Sequence, residues 1–239
     1  MFAKIAATLS LAALAAAFPT GRDTNTTEAR LMPIADRYVF YQGNGSPSAG
    51  WPSQASWGTW SELWNANLPL MRQSCGWNGW GINNSEREIN DINTAIQQLS
   101  AQTGVDNRFI LAIIMQETGG CTRAPTTNNG VVNPGLMQSH NGGGSCAWVN
   151  DCPWSEIREM VSDGTAGTAY GDGLRQTYSR AAGALGDWGS RAYYSAARLY
   201  NSGSVDYNDM NNGFTSTRCY AADVANRLTG WTLAARGCW

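Results

Sequence analysis

Apolar residues recur at helical spacing through most of this chain, and the clearest run stands near its middle. Ile110, Ile113, Ile114 and Glu117 fall at i, i+3, i+4 and i+7, so one face carries three branched apolar side chains and then an acid. Asp106 can cap the start of that helix, and Gly119 or Gly120 can take the left-handed conformation that closes it. Before it, Ser85 to Glu88 reads as a capping box followed by the stripe Ile89, Ile92, Ile96 and Leu99, which Gly104 stops. After it, a helix is expected from Pro153 and Ser155, with Ile157, Met160 and Val161 inward and Gly164 at its end. Residues 165–182 read as a glycine-interrupted helix whose clearest turn is Leu174 to Tyr178. Asp187 is the expected cap of a helix in which Tyr193, Ala196, Ala197 and Tyr200 share a face, and a last helix spans residues 217–228 before Gly230. No alternating run exceeds Arg37 to Tyr41, so the pattern predicts a mainly α protein with one core.

Two stretches depart from this pattern. Residues 126–144 are rich in Asn and Gly, the composition of a long loop placed for function. Trp51, Trp57, Trp60, Trp64, Trp77 and Trp80 crowd together, and flat indoles suit both core packing and stacking on sugar rings, packing being the commoner use.

The ends of the chain set its context. Residues 1–17 combine Lys4, an apolar run and Ala15-Ala16-Ala17, the grammar of a cleaved secretory signal, and the run is too short for a membrane anchor. Residues 18–50 read as a polar linker or propeptide, leaving 51–239 as the folded domain. Glycosylation sequons occur at Asn25, Asn44 and Asn83. Loss of Lys4 removes the only lysine, so 15 Arg face 18 Asp plus Glu for a formal charge of -3. That balance argues against an electrostatic nucleic-acid binder, and the missing lysine excludes Schiff-base chemistry by side chains. Cys75, Cys121, Cys146, Cys152, Cys219 and Cys238 make an even count in a secreted context, which predicts three disulfides. Proximity suggests Cys146 with Cys152 and Cys219 with Cys238, leaving Cys75 for Cys121, although sequence leaves other pairings open. A zinc site is the weaker alternative, since His140 is the only histidine and no Cys-x-x-Cys is present.

Glu117 is the residue with chemistry in it. In the last turn of an apolar helix, the helix dipole and desolvation both oppose ionisation, and a carboxyl protonated near neutrality is what a general acid at a glycosidic oxygen must be. The structural reading gives it Arg108 or Arg123 as a salt-bridge partner instead.

Three ordered blocks decide between these readings: Gln116-Glu117-Thr118-Gly119-Gly120, Gly135-Leu136-Met137-Gln138, and Ala196 to Gly203 containing Tyr200-Asn201. Together they resemble the signature of soluble lytic transglycosylase domains, glycoside hydrolase family 23, and of goose-type lysozymes. The resemblance implies a lysozyme-like fold, disulfide-stabilised here, with Glu117 as catalytic acid and Gln138, Met137, Tyr200, Asn201 and His140 around the substrate. Tyr200 is expected to hydrogen-bond Glu117, Met137 to form an apolar floor, and Gln138 to bind substrate or orient the acid. Thr118 replaces the family's usual serine. Asn129 and Ser139-His140 stand where goose-type lysozymes carry aspartates, so no second carboxylate is at hand unless Asp163, Asp172 or Asp187 is recruited. The implied activity is a single-Glu lytic transglycosylase, secreted and monomeric, without cofactor or metal. Its substrate would be a β-1,4-linked N-acetylated polysaccharide, peptidoglycan first and chitin second. Alternatives are a hydrolytic lysozyme or chitinase on the same fold, and a protein that binds wall glycan without cutting it.

Overall fold

The computed structural model describes residues 34–238, which form one compact unit. The secretory signal expected at 1–17, the sequon at Asn25 and residues 18–33 of the expected linker lie outside them. Eight α-helices account for the architecture among the described residues: α1 (Trp60–Met71), α2 (Ser74–Trp77), α3 (Glu86–Thr103), α4 (Asn107–Thr118), α5 (Trp154–Ala166), α6 (Leu174–Leu185), α7 (Ser190–Ser202) and α8 (Tyr220–Leu228). The only strands among them are β1 (Thr127–Asn128) and β2 (Val132–Asn133), a two-residue antiparallel pair inside the Asn/Gly loop. No helix among the described residues is long and apolar enough to cross a membrane.

α4 is the axis of the fold. Every residue from Phe109 to Met115 is buried, because α3, α8 and α1 pack around it and leave no solvent face. Each of these side chains other than Ala112, removed from water, stabilises the fold by roughly 1.5–3 kcal/mol before its entropy is counted. Its ends are the expected ones: Asp106 accepts the Arg108 N–H at 2.9 Å, and Gly119 closes the helix at φ 62°. α3 has the predicted Ser85/Glu88 capping box and ends on Gly104 at φ 75°.

Elsewhere the punctuation differs from expectation. α5 does not stop at Gly164 but runs through it to Ala166, with Gly167 at its C-cap. Gly164 is there for contact: a Cβ at that position would lie 2.5 Å from the Met137 Sδ, so the helix can pass over Met137 only without a side chain. Gly189, not Asp187, caps α7, while the Asp187 carboxylate accepts the Gly189 N–H at 2.8 Å and braces the turn before it. α8 begins at Tyr220, three residues later than the pattern suggested.

Residues 34–50, assigned to the linker on their polarity, belong to the folded unit. They are held by hydrogen bonds rather than an apolar stripe, which is why their composition concealed them. The Asn226 amide accepts the Val39 N–H at 2.7 Å and donates to the Val39 carbonyl at 2.8 Å, imitating a strand partner. Tyr38 donates to Asp223 at 2.7 Å, and the Asp36 carboxylate gathers the N–H groups of Thr232, Leu233 and Ala234.

All six cysteines are paired: Cys75 with Cys121, Cys146 with Cys152 and Cys219 with Cys238, which removes the zinc alternative. The first of these ties α2 to the chain directly behind the end of α4. A bridge of this kind is typically worth about 2–4 kcal/mol. Of the clustered tryptophans, Trp51, Trp57 and Trp64 are core, Trp60 stacks on Trp64 across one turn of α1, and Trp77 is exposed.

Candidate active site

The C-terminal ends of α4 and α7, the 127–140 loop, the α5–α6 connection and residues 215–217 enclose a cleft of about 1240 Å³. Glu117 lies in its wall, partly exposed to the cleft while protein closes around the rest of the side chain. Neither expected arginine partner reaches it. Arg108 pairs with Asp106 at 2.6 Å and lies over the Trp57 ring, and Arg123 pairs with Glu88 at 2.7 Å. The hydrogen bond that Glu117 receives comes from the Tyr220 hydroxyl, at the first residue of α8.

Desolvation therefore dominates its protonation. Burial pushes the Glu117 carboxyl up to about 7, against the opposing pull of the Tyr220 hydroxyl and the Arg227 guanidinium. Arg227 is itself lowered to about 10 by burial. Its Nε donates to Gln116 at 2.8 Å, and Gln116 donates in turn to Asp223 at 3.2 Å. Asp223 receives Arg236 at 2.6 Å. A buried polar cluster thus stands behind the acid, with its carboxylate charge directed to arginines and not to Glu117.

The residues expected around the substrate divide into two groups. Gln138, Tyr200, Asn201 and His140 line the cleft; Met137 does not. Met137 is fully buried beneath α5, so it is core instead of an apolar floor. Tyr200 donates to the Met137 carbonyl at 2.9 Å, and the contact with the acid assigned to it belongs to Tyr220. Gln138, at φ 47°, donates to the carbonyls of Pro125 and Gly135, both at 3.1 Å, and accepts from Thr127 at 3.0 Å. Its amide braces the loop and makes no bond to Glu117. Asn201 accepts a hydrogen bond from Arg198, a fully buried arginine whose pKa burial lowers to about 10. His140 is exposed.

Among the three further acids, only Asp172 reaches the cleft, and it pairs with Arg180 at 2.9 Å. Asp163 is occupied with the N–H groups of Gly143 and Gly144 at 2.8 and 3.1 Å, and Asp187 with Gly189. Asn129 lines the cleft and Ser139 is buried beside it.

Sequence reasoning missed Tyr220 and Arg227. Both sit on α8, a segment readable as an amphipathic helix, but nothing local says that α8 packs on α4. No family model, curated protein or solved structure matches this chain.

Proposed function

We propose that the protein is a glycan-cleaving enzyme of lysozyme-like type, acting on β-1,4-linked N-acetylated polysaccharide as a single-Glu lytic transglycosylase. The observation that carries this reading is Glu117 itself: a carboxyl raised to about 7 by burial, salt-bridged to no arginine among the described residues, and facing a polar cleft. With its pKa near neutrality, a large share of Glu117 carries its proton at pH 7 and can donate it to a leaving oxygen.

The steps are those that the motif resemblance implies, with Glu117 as the acid and then the base. The Glu117 proton goes to the glycosidic oxygen as its bond to C1 breaks, and the substrate's N-acetyl oxygen closes on C1. Glu117, now a carboxylate, takes the proton of the C6 hydroxyl, whose oxygen displaces the acetamido oxygen and forms a 1,6-anhydro ring. No water is consumed. Direct attack by water on the far face of the ring needs a second base, and among the described residues the only other cleft carboxylate, Asp172, is committed to Arg180. A tethered hydroxyl also enjoys an effective concentration that bulk water lacks.

Peptidoglycan ranks first as substrate on the motif resemblance and chitin second, since a chain of pI near 5.4 gains no long-range attraction to an anionic wall. Three disulfides and the N-terminal signal pattern support an extracellular site of action. Mass spectrometry of digested peptidoglycan and chitin oligomers tests the mechanism. Products lighter by one water than hydrolytic fragments are expected; fragments with the full mass of water addition make the protein a hydrolase.

A further inference from the structure

The connection between α5 and α6 is built to hold one shape. A Cβ on Gly171 would lie 2.6 Å from the His140 Cβ and 2.7 Å from two of its ring carbons, and one on Gly173 would lie 2.3 Å from the Gly167 nitrogen. Only bare backbone fits in either place. The Thr168 N–H donates to the Gly171 carbonyl at 3.0 Å, while its hydroxyl donates to the His140 carbonyl and accepts the Tyr170 N–H, both at 3.1 Å. Ordering that is already present in such a loop need not be supplied when a ligand binds.

What the loop displays is Tyr170. It stands in the cleft wall with 78% of its surface exposed, although an aromatic ring of that size ordinarily finds cover. Beside it in the same wall are Asp172 and Arg180, whose ion pair leaves each side chain about half exposed. The carboxylate accepts several hydrogen bonds and the guanidinium donates several, so neither is exhausted by the other. A flat apolar ring flanked by one acceptor-rich and one donor-rich group matches a pyranose, which has an apolar C–H face and a rim of hydroxyls.

Size supports a separate position. At about 1240 Å³ the cleft exceeds the roughly 300–1,000 Å³ of a typical small-ligand pocket, so it has room for more than the ring being cleaved. The acid is contacted from α8, whereas Tyr170, Asp172 and Arg180 come from the α5–α6 connection and α6.

We infer that Tyr170, Asp172 and Arg180 form a sugar subsite on the cleft rim, which takes a neutral N-acetylhexosamine ring of the same strand that Glu117 cleaves. This rests on the glycan reading. In that subsite Asp172 receives sugar hydroxyls and has no part in bond cleavage.

The test uses binding, so that it does not depend on turnover. In the Glu117→Gln background, titration calorimetry with the hexamer of β-1,4-linked N-acetylglucosamine, and with peptide-free glycan strands from peptidoglycan, measures the affinity. Tyr170→Ala should weaken binding of whichever probe the parent takes by about tenfold, the scale of one lost aromatic contact. Tyr170→Phe, which keeps the ring, should recover most of the loss, and the melting temperature should stay within about 2 °C because an exposed side chain away from special features carries little stability. Equal affinity of Tyr170→Ala and its parent overturns the subsite while leaving the glycan reading in place. Failure of the parent to bind either probe overturns the glycan reading, and the subsite with it.

Discussion

Glu88 and Glu117 occupy opposite ends of neighbouring helices, and a helix dipole favours charge at the first position and opposes it at the second. Glu88 lies in the first turn of α3, 1% exposed, and accepts hydrogen bonds from the Ser85 N–H at 2.7 Å, the Cys152 N–H at 2.9 Å and Arg123 at 2.7 Å. Burial alone would raise its pKa, but these donors hold it below the ordinary carboxylate value. Glu117 lies in the last turn of α4, where the dipole is negative, and burial outweighs its single tyrosine donor and the nearby arginine. Depth does not separate an acid held ionised from one held protonated; the donors that surround it do.

The two acids therefore oppose each other in their effect on stability. Glu88 contributes stability that is present above its unfolded pKa and lost as pH falls through its lowered folded value. Glu117, raised, favours the folded state while protonated in it, and that contribution is lost as pH rises from its ordinary value toward about 7.

Substitution should separate their roles. Glu117→Gln keeps the volume and removes the transferable proton, so polysaccharide turnover should fall by about a hundred- to ten-thousand-fold with the circular-dichroism spectrum unchanged. Turnover within tenfold of wild type would place the acid elsewhere. Arg123→Met leaves Glu88 buried without its cation, the arrangement that costs about 3–5 kcal/mol. Denaturant unfolding should record that loss, and the protein that remains folded should still cleave. A destabilisation under about 1 kcal/mol would show that the Ser85 and Cys152 donors suffice alone.

Local chemistry made half of this comparison legible beforehand. The Ser85/Glu88 box, the Asp106 cap and the Gly104 and Gly119 stops lie within a few residues of the groups they satisfy, so the spans of α3 and α4 and the position of Glu117 in its last turn could be read directly. Tyr220 and Arg227 could not, because their proximity to Glu117 and Gln116 is a contact of α8 with α4 across more than a hundred residues. The motif resemblance gave the acid's hydrogen bond to Tyr200, which lines the cleft but donates to the Met137 carbonyl. Gly164 was misread for a different reason: a glycine that stops a helix and one that lets a helix pass close to Met137 are identical in sequence.

The protonation of Glu117 is the point on which the account stands. Carboxyl titration by difference infrared spectroscopy, wild type minus Glu117→Gln, measures it directly. The difference should show one carboxyl titrating near 7. In a Tyr220→Phe background the midpoint should move higher, since the lost hydroxyl favoured the carboxylate. A midpoint near the ordinary 4.5 in the wild type would contradict the account, because Glu117 would then have no proton to give at neutral pH.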